Sequence, residues 1–444
     1  MNLARRNWIA LVITAFVFVL LVALGRLMLP IADDYCYASN ARDGLLNALV
    51  HRYQLEGGNL FETFVVLIQV GLPLTLASPN FGSAFAWAVT LLFVCVAFVV
   101  VLMMCIAKLQ IKTAMLWAFS LLATLWLPYW WLPGIIPGLE RVRPVFMRTA
   151  RDMTFWHSMQ SQYIVVPVIL ATIMILARRT TARPVCQNLL LAIVGLFLGT
   201  SSLILAGGFS LTSFIAVLIP RARKVVGFRR VTGVFSGVAI GVAIQVTAPG
   251  TFGRLTQVHG SSTTGDMAHR LFSAVVGGFI ESPLWLVVCL VNLGTVVSVL
   301  SGLLMGQAFK RASFSVLDTR ARSMAIWLFG FGFALVYCEK VLEKLTYFAL
   351  WHMTYARFAF LLAGLALGIW FSAISDRVKL RPFVMTFSAS TLVLLSLVLS
   401  ASSVLIVAQA RYASWKAHPY SQGDAAEATA SSWVLDCAKR AGIR

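Results

Sequence analysis

The chain has 444 residues, of which 59% are hydrophobic and only 12% are charged, and it carries a formal net charge of +20. Its mean hydropathy is +0.85. Soluble proteins contain about 25% charged residues, so this composition excludes a soluble multidomain protein, a disordered chain and a small disulfide scaffold. Many apolar runs approach the ~20 residues that a bilayer-spanning helix requires, and the sequence therefore predicts an all-α, polytopic membrane protein.

Eleven apolar segments are predicted to cross the membrane. The first runs from Trp8 to about Leu29 and exceeds the length of a signal-peptide core, so we expect a retained helix with Arg5 and Arg6 at its cytoplasmic start. The boundary between the fifth and sixth of these helices, at Gly207-Gly208, is the least sharply defined. The ten further spans are predicted at 84–106, 113–133, 162–177, 187–206, 208–220, 231–247, 284–305, 323–341, 355–375 and 383–408.

The basic residues are distributed unevenly over this layout. The predicted cytoplasmic segments contain 19 Lys and Arg residues against two acids, Asp318 and Asp376, whereas the rest of the chain has 17 basic and 14 acidic residues. Such an excess on one side is the positive-inside pattern, so the charge reports topology and predicts no nucleic-acid partner. It places the N-terminus in the cytoplasm and the C-terminus outside.

The outer side receives the first loop, residues 30–83, and a polar tail, residues 409–444, while residues 1–408 form one transmembrane domain. Within the first loop, residues 61–77 are apolar, but a span there would invert every later loop. We therefore expect a segment that lies at the outer interface, or one that enters and leaves the membrane on the same side. Cys36 and Cys437 are the two cysteines placed outside, where disulfides persist. We expect two unpaired thiols, and the alternative is a bridge that ties the tail to the first loop.

Two adjacent carboxylates follow the first predicted span, in the sequence Asp33-Asp34-Tyr35-Cys36-Tyr37. Carboxylates at a membrane boundary are costly to desolvate and are seldom needed for packing. One of them near a hydroxyl can act as general base, while the other orients the substrate or holds a divalent cation such as Mg²⁺ or Mn²⁺. The alternative is a solvated helix end, because Asp is a good N-cap.

Arginines are concentrated in the outer loop at 134–161, where the charge rule disfavours them. Arg141, Arg143, Arg148 and Arg151 fall within eleven residues. The planar guanidinium suits phosphate and carboxylate, so a lipid-linked phosphate or pyrophosphate in the outer leaflet is a natural partner. Contact with ordinary lipid headgroups and pairing with neighbouring acids is the alternative.

Further charged residues follow two later predicted spans. Ala248-Pro249-Gly250 forms a tight turn at the membrane surface, and Arg254 comes directly after it at headgroup depth. Glu339 and Lys340 lie at the end of another span, and Arg357 begins the next. Ionisable residues at such positions either line a polar cavity or lie in water beyond the bilayer, and the sequence leaves both open.

In their order along the chain, these motifs resemble those of the GT-C superfamily of integral-membrane glycosyltransferases, above all the bacterial branch that includes the O-antigen glucosyltransferases. That branch has an Asp-Asp-aromatic motif after the first helix, which Asp33-Asp34-Tyr35 matches. It has a Trp-containing loop with a Tyr before a span, like Trp156 to Tyr163, and an Ala-Pro-Gly turn followed by Arg, like Ala248 to Arg254. A late helix begins with Arg, like Arg357, and many relatives carry Trp-x-Gly-Arg where this chain has Leu55-Glu56-Gly57-Gly58-Asn59.

The resemblance implies an inverting glycosyltransferase in the cytoplasmic membrane of a bacterium. A polyprenyl-phosphate sugar is the donor, and a cell-surface glycan such as O-antigen or lipopolysaccharide, or a lipid-linked glycan, is the acceptor. Asp33 or Asp34 takes the proton from the acceptor hydroxyl. The residues implied to hold the donor phosphate are Arg254, Arg357, Arg141, Arg143 and Arg148. Those implied to bind substrate are Tyr35, Trp156, His157, Tyr163, Glu339 and Lys340.

Three other functions are compatible with a polytopic membrane protein of this kind. An O-antigen polymerase or ligase also has outer arginines, but the Asp pair speaks against it. A lipid-linked sugar transporter or flippase requires charged groups near mid-membrane, which the predicted layout places at the outer ends of the helices. A non-catalytic scaffold fits if the Asp pair is only a helix cap.

Overall fold

The computed structural model describes a chain that is built almost entirely of helices. It describes residues 22–27, 33–55, 57–76, 79–105, 157–180, 184–219, 228–251, 264–290, 293–310, 317–346, 354–375 and 432–442, and single positions at 19, 30, 118, 395, 405, 409, 412, 413, 416 and 417. Over this described part, 94% of the residues are helical and none lies in a strand. The predicted all-α class is therefore confirmed.

The predicted first outer loop, residues 30–83, folds in its described part into a group of short helices that packs against a long one. In chain order these are a 3-10 turn at Gly25–Leu27, α1 at Asp33–Arg42, α2 at Leu45–Leu55, α3 at Leu60–Val66, a π-helical segment π1 at Leu67–Gly71, and α4 at Leu72–Leu76. The long helix α5, Pro79–Cys105, follows. Gly82 of α5 lies against Pro73 and Leu74, so α4 and the start of α5 form an antiparallel hairpin.

The middle of the chain forms the next group. It contains α6 at His157–Gln160, a second π-helical segment π2 at Ser161–Val165, α7 at Val166–Thr180, α8 at Pro184–Gly199, α9 at Leu203–Leu218 and α10 at Phe228–Val246. Glycines let α8 and α10 approach closely, since a Cβ on Gly237 would overlap the carbonyl oxygen of Ala192. Four residues earlier, Gly233 lies against Asn188, so the contacts advance in the same direction and the two helices are parallel.

The last group contains four long helices. These are α11 at Thr264–Leu290, α12 at Leu293–Lys310, α13 at Leu317–Thr346 and α14 at Thr354–Ser375. Ser298 of α12 donates to the carbonyl of Leu361, and Gly302 lies against Leu365, so α12 and α14 are parallel as well. The two parallel pairs have the relative directions that the alternation of predicted spans requires.

Four of the described helices are long and apolar enough to cross a membrane by length and composition, at Phe81–Val100, His269–Val287, Arg322–Leu345 and Tyr355–Ser372. Other apolar helices are shorter, including Leu60–Leu76, the predicted interfacial segment. The count of eleven spans is not established, and predicted spans 113–133, 383–408 and most of 8–29 lie outside the described residues.

Two predicted boundaries are wrong. The chain turns at residues 200–202 and not at Gly207-Gly208, because both glycines lie inside α9, where Gly207 faces Cys338 and Gly208 faces Leu335. The span expected at 284–305 divides into α11 and α12, and α11 begins at Thr264, inside what was expected to be an outer loop. The apolar part of α11 is as long as a membrane span. The sequence did not reveal it, because the first turns of this helix contain polar residues.

The polar tail is tied to the first outer loop by a disulfide. Cys437 lies in the amphipathic helix α15, Ser432–Arg440, and is bonded to Cys36 of α1, with the two Cα atoms 4.7 Å apart. Around the bond, Ala438 packs with Tyr35 and Ala38 in one apolar core. The expectation of two unpaired thiols is therefore wrong, and the disulfide holds the predicted first loop and the tail together.

Candidate functional site

Asp34 joins the first outer loop to the start of α6. Its side chain is fully buried, and Oδ1 accepts a hydrogen bond from the backbone N–H of Ser158 over 2.8 Å. Ser158 is the second residue of α6, where backbone N–H groups have no acceptor within the helix and negative charge is favoured. Asp34 is thus a tertiary cap on the helical run that begins at His157, and it is not a solvated helix end.

The neighbours of Asp34 differ from one another in burial. Asp33 is half-buried, whereas Tyr35 is buried in the apolar core beneath α15. His157 is also buried, and its burial lowers the pKa of the imidazole to about 4, so the ring is neutral at physiological pH. A neutral imidazole offers one donor and one acceptor, which suits a hydroxyl-rich ligand better than an anionic one.

Two tyrosines from distant parts of the chain meet on either side of π2. Gln162 donates from Nε2 to the hydroxyl oxygen of Tyr37 over 3.3 Å. Its backbone carbonyl accepts from the Tyr355 hydroxyl, also over 3.3 Å. The rings of Tyr163 and Tyr355 lie 4.7 Å apart. The structure thereby brings the first outer loop, π2 and the start of α14 together around one turn of helix.

Glu62 is a buried acid in the same region, and its role was not predicted from the sequence. It accepts a hydrogen bond from Asn59 Nδ2 over 3.1 Å, and Arg52 lies within electrostatic range. Arg52 also lies over the Tyr37 ring, 5.7 Å from its centroid. Burial raises the pKa of the Glu62 carboxyl to about 7, while Arg52 and Asn59 oppose that rise. Burial likewise raises the pKa of the Tyr37 hydroxyl to about 12.

The two π-helical segments contact each other through polar side chains. Ser161 of π2 donates to Oε1 of Gln69 in π1 over 2.9 Å, and Gln69 Nε2 donates to Thr90 of α5. All three side chains are buried in an otherwise apolar surrounding. π-Helical turns are rare and are frequent at functional sites, so their pairing next to Asp34 and Glu62 marks this region.

A second group of charges lies where α11 crosses α13. Lys340 pairs with Glu343, and its ammonium lies 4.1 Å from the centroid of the Trp285 ring. Lys344 pairs with Glu281 over 2.7 Å. Glu339 and Lys340 are only 2% and 4% exposed, so they do not lie in water beyond the bilayer. The two side chains therefore belong to a buried polar cluster, and their lining of a polar cavity stays a prediction.

The two groups are continuous through Tyr355 and Cys289. Tyr355 lies within electrostatic range of both Glu62 and Glu339. The Cys289 thiol lies within electrostatic range of Arg357, Glu339 and Lys340. The result is a buried polar cluster. It contains the Asp, Glu, Lys and Arg side chains that are at most 6% exposed in the described part of the chain, which are Asp34, Glu62, Glu339, Lys340 and Arg357.

The loop that precedes Glu62 is fixed against the Ala-Pro-Gly turn. Gly58 packs directly on the backbone of Gln245, and no larger side chain would fit there. The Phe61 N–H donates to the carbonyl oxygen of Thr200 over 3.1 Å. Thr251, just after the turn, donates to the Gln245 carbonyl. The motifs at 33–37, 57–62 and 248–250 therefore surround one region.

The remaining predicted site residues lie outside the described part of the chain. These residues are Arg141, Arg143, Arg148, Trp156 and Arg254. Among the described residues, no group of three or more His, Cys, Asp or Glu side chains is arranged to hold a metal ion. Asp33 and Asp34 are successive helical residues whose side chains point about 100° apart, which does not suit shared coordination of one cation.

Glu62 and Arg52 are the main residues that the sequence analysis missed. Glu62 is the one acid within the apolar run at 61–77, and a lone acid in such a run is a candidate functional residue. Arg52 carries no comparable signal, because its role depends on the packing of α2 against α3. Comparisons of the chain with family models, with curated proteins and with solved structures found no match.

Proposed function

We propose that this protein is a GT-C-type glycosyltransferase that transfers a sugar from a polyprenyl-phosphate donor to a cell-surface glycan, with inversion at the anomeric carbon. The reaction takes place on the outer face of the bacterial cytoplasmic membrane. The observation that carries the proposal is the buried polar cluster, which gathers acids and bases from four separate parts of an otherwise apolar chain. Ionisable groups so desolvated are costly, and they concentrate at functional sites.

The charges in the cluster suit the two requirements of a glycosyl transfer, which are activation of the acceptor hydroxyl and stabilisation of the leaving phosphate. Carboxylates of the first outer loop, with Asp33 and Asp34 assigned by resemblance, activate and orient the acceptor hydroxyl. Arg357, at the start of α14, binds the donor phosphate and stabilises the charge that develops as it leaves. Arg254, Arg141, Arg143 and Arg148 are proposed as further phosphate ligands from the outer loops. The Tyr163 ring and the His157 imidazole are proposed to contact the sugar.

The topology supports a reaction on the outer side. The disulfide between Cys36 and Cys437 requires an oxidising compartment, and bacterial disulfides persist outside the cytoplasm. Asp34 lies two residues from that bond. A lipid donor presented in the outer leaflet reaches this level of the protein from the bilayer, which explains why no nucleotide-binding motif is required.

The proposal is tested by reconstitution. The protein is placed in phospholipid vesicles with polyprenyl-phosphate glucose as donor and lipopolysaccharide as acceptor, and release of polyprenyl phosphate is followed with the configuration of the new bond. We expect an inverted product and loss of activity in Arg357→Gln. Arg322→Gln is the matched control, because Arg322 is exposed and lies over Trp370 at 5.5 Å. No transfer by the wild type from any polyprenyl-phosphate sugar contradicts the proposal.

A further inference from the structure

Building on the glycosyl transfer proposed above, we propose that Glu62 is the general base that accepts the proton of the acceptor hydroxyl, and that Asp34 is a positioning residue. The sequence pointed to the Asp pair for this step. The structure favours a different assignment of the two roles, because the side chains of Asp34 and Glu62 have different partners.

Asp34 is occupied by a structural contact. Its Oδ1 holds the N–H of Ser158 at the start of a helical run that continues through π2 to Thr180. A carboxylate in that position satisfies a helix N-terminus and joins two loops. If Asp34 were to take a proton, the charge that favours this cap would be lost at each turnover.

Glu62 has a different environment. Within the described part of the chain, its one hydrogen bond is with the Asn59 side-chain amide, and it accepts from no backbone N–H there. Three groups from other elements lie within electrostatic range of it: Arg52 from α2, Tyr37 from α1 and Tyr355 from α14. Further charged and titratable groups lie near those tyrosines, with Asp33 near Tyr37, and with Tyr163 and Glu339 near Tyr355. Arg52 supplies the opposite charge, and the hydroxyls of Tyr37 and Tyr355 are of a kind that also binds sugar hydroxyls.

The protonation state of Glu62 suits a base. Burial raises the pKa of its carboxyl to about 7, so the group gains and loses a proton near physiological pH. A general base works best when its pKa is near the operating pH. The raised pKa adds to the geometric argument, in which the Glu62 carboxyl on α3 lies within electrostatic range of Arg52 on α2 and Tyr355 on α14.

A helix-capping role is the structural alternative for Glu62. Asn59 is the N-cap of α3 and Glu62 is three residues further on, which is the spacing of a capping box. In a capping box the acid bonds to the backbone N–H of the N-cap residue, whereas here it bonds to the Asn59 side chain. Gln serves as well as Glu at this position of a capping box, so Glu62→Gln preserves a cap and removes a base.

The proposed step balances. The acceptor O–H bond breaks, its proton passes to a carboxylate oxygen of Glu62, and its electron pair forms the new bond to the anomeric carbon. The bond from that carbon to the phosphate oxygen breaks, and its electron pair leaves with polyprenyl phosphate. Glu62 afterwards returns its proton to water.

The experiment compares the pH dependence of transfer in wild type, Glu62→Gln and Glu62→Asp, reconstituted with polyprenyl-phosphate glucose and lipopolysaccharide. We expect the wild-type kcat to rise with pH to a plateau above about 7. In Glu62→Gln, kcat falls by about 10²–10⁴-fold and the rise is lost, while the donor KM changes little. Asp43→Asn is the control, because Asp43 is an exposed acid between α1 and α2.

Each outcome decides the proposal. A Glu62→Gln variant with near-wild-type kcat, or with the rise retained, overturns it and leaves the glycosyltransferase proposal intact. If Glu62→Gln does not insert, Glu62→Asp decides: retracting the base lowers kcat by about 10²-fold with the rise retained, and a wild-type kcat overturns the proposal. A wild type that transfers no sugar from any such donor overturns the proposed function itself.

Discussion

The carboxylate of Asp34 lies 2.8 Å from the backbone nitrogen of Ser158, 124 residues further along the chain. This one contact connects the acid that follows the first predicted span with the start of helix α6. Because the carboxylate is fully buried, the bond is protected from water and fixes how the two loops pack.

Substitutions of Asp34 separate its structural and electrostatic contributions. Asp34→Asn keeps an oxygen for the Ser158 N–H, so we expect a stable protein with transfer reduced by about 10-fold or more through lost charge. Asp34→Ala leaves a buried N–H without its acceptor, at a cost of about 1–3 kcal/mol, and abolishes transfer. Thermal unfolding in detergent and transfer in vesicles measure the two effects. Equal stability of both variants contradicts the capping role.

Removing the disulfide is expected to loosen the tail from the first loop. Cys36→Ser and Cys437→Ser each break a link between residues 401 apart in sequence, with an expected loss of about 2–5 kcal/mol of stability. The apparent melting temperature falls by the same amount in both variants and in the double variant. Cys186→Ser is the control, because Cys186 is an exposed free cysteine. Additive losses in the double variant contradict the bond.

Arg357 is expected to act on the donor rather than on folding alone. Arg357→Gln removes the guanidinium that we propose for the leaving phosphate, so transfer falls by about 10²–10³-fold. Arg357→Lys keeps the charge but loses the fork geometry, and we expect a smaller loss, with a higher donor KM. Steady-state kinetics over a range of donor concentrations distinguish the two. Equal activity of both variants and wild type contradicts the assignment.

The stability of the protein is expected to depend on pH through Glu62. Its folded-state pKa of about 7 lies above the ordinary 4.5, so the folded state binds the proton more tightly than the unfolded state. The contribution of Glu62 to stability is therefore full below about 4.5 and is lost as pH rises to about 7. The difference in apparent melting temperature between wild type and Glu62→Gln becomes less favourable to wild type from pH 5 to pH 8. A constant difference contradicts the raised pKa.

Two of the apolar helices could be predicted closely, because hydropathy alone defines them. The segments expected at 231–247 and 355–375 are the helices Phe228–Val246 and Thr354–Ser375. The break expected at Gly207-Gly208 was wrong, because those glycines are used for close packing on α13 and not for a turn. A sequence does not distinguish the two uses of glycine.

The site was predicted only in part, for a physical reason. Asp34, Glu339, Lys340 and Arg357 attract attention because charge is costly in an apolar chain. The partnership between Cys36 and Cys437 and the burial of Glu62 depend on which distant segments meet, and the sequence does not give that information. Glu62 and Tyr355 are 293 positions apart and yet lie within electrostatic range.

The most direct test of the account is the structure of the surface glycans from bacterial cells that lack this protein, complemented with wild type or with the double variant Asp33→Ala/Asp34→Ala. The account predicts that one sugar is missing without the protein, is restored by wild type and is not restored by the double variant at equal membrane abundance. Glycans that are the same in all three strains contradict glycosyl transfer, and measurement of lipid-linked sugar transport is then the next step.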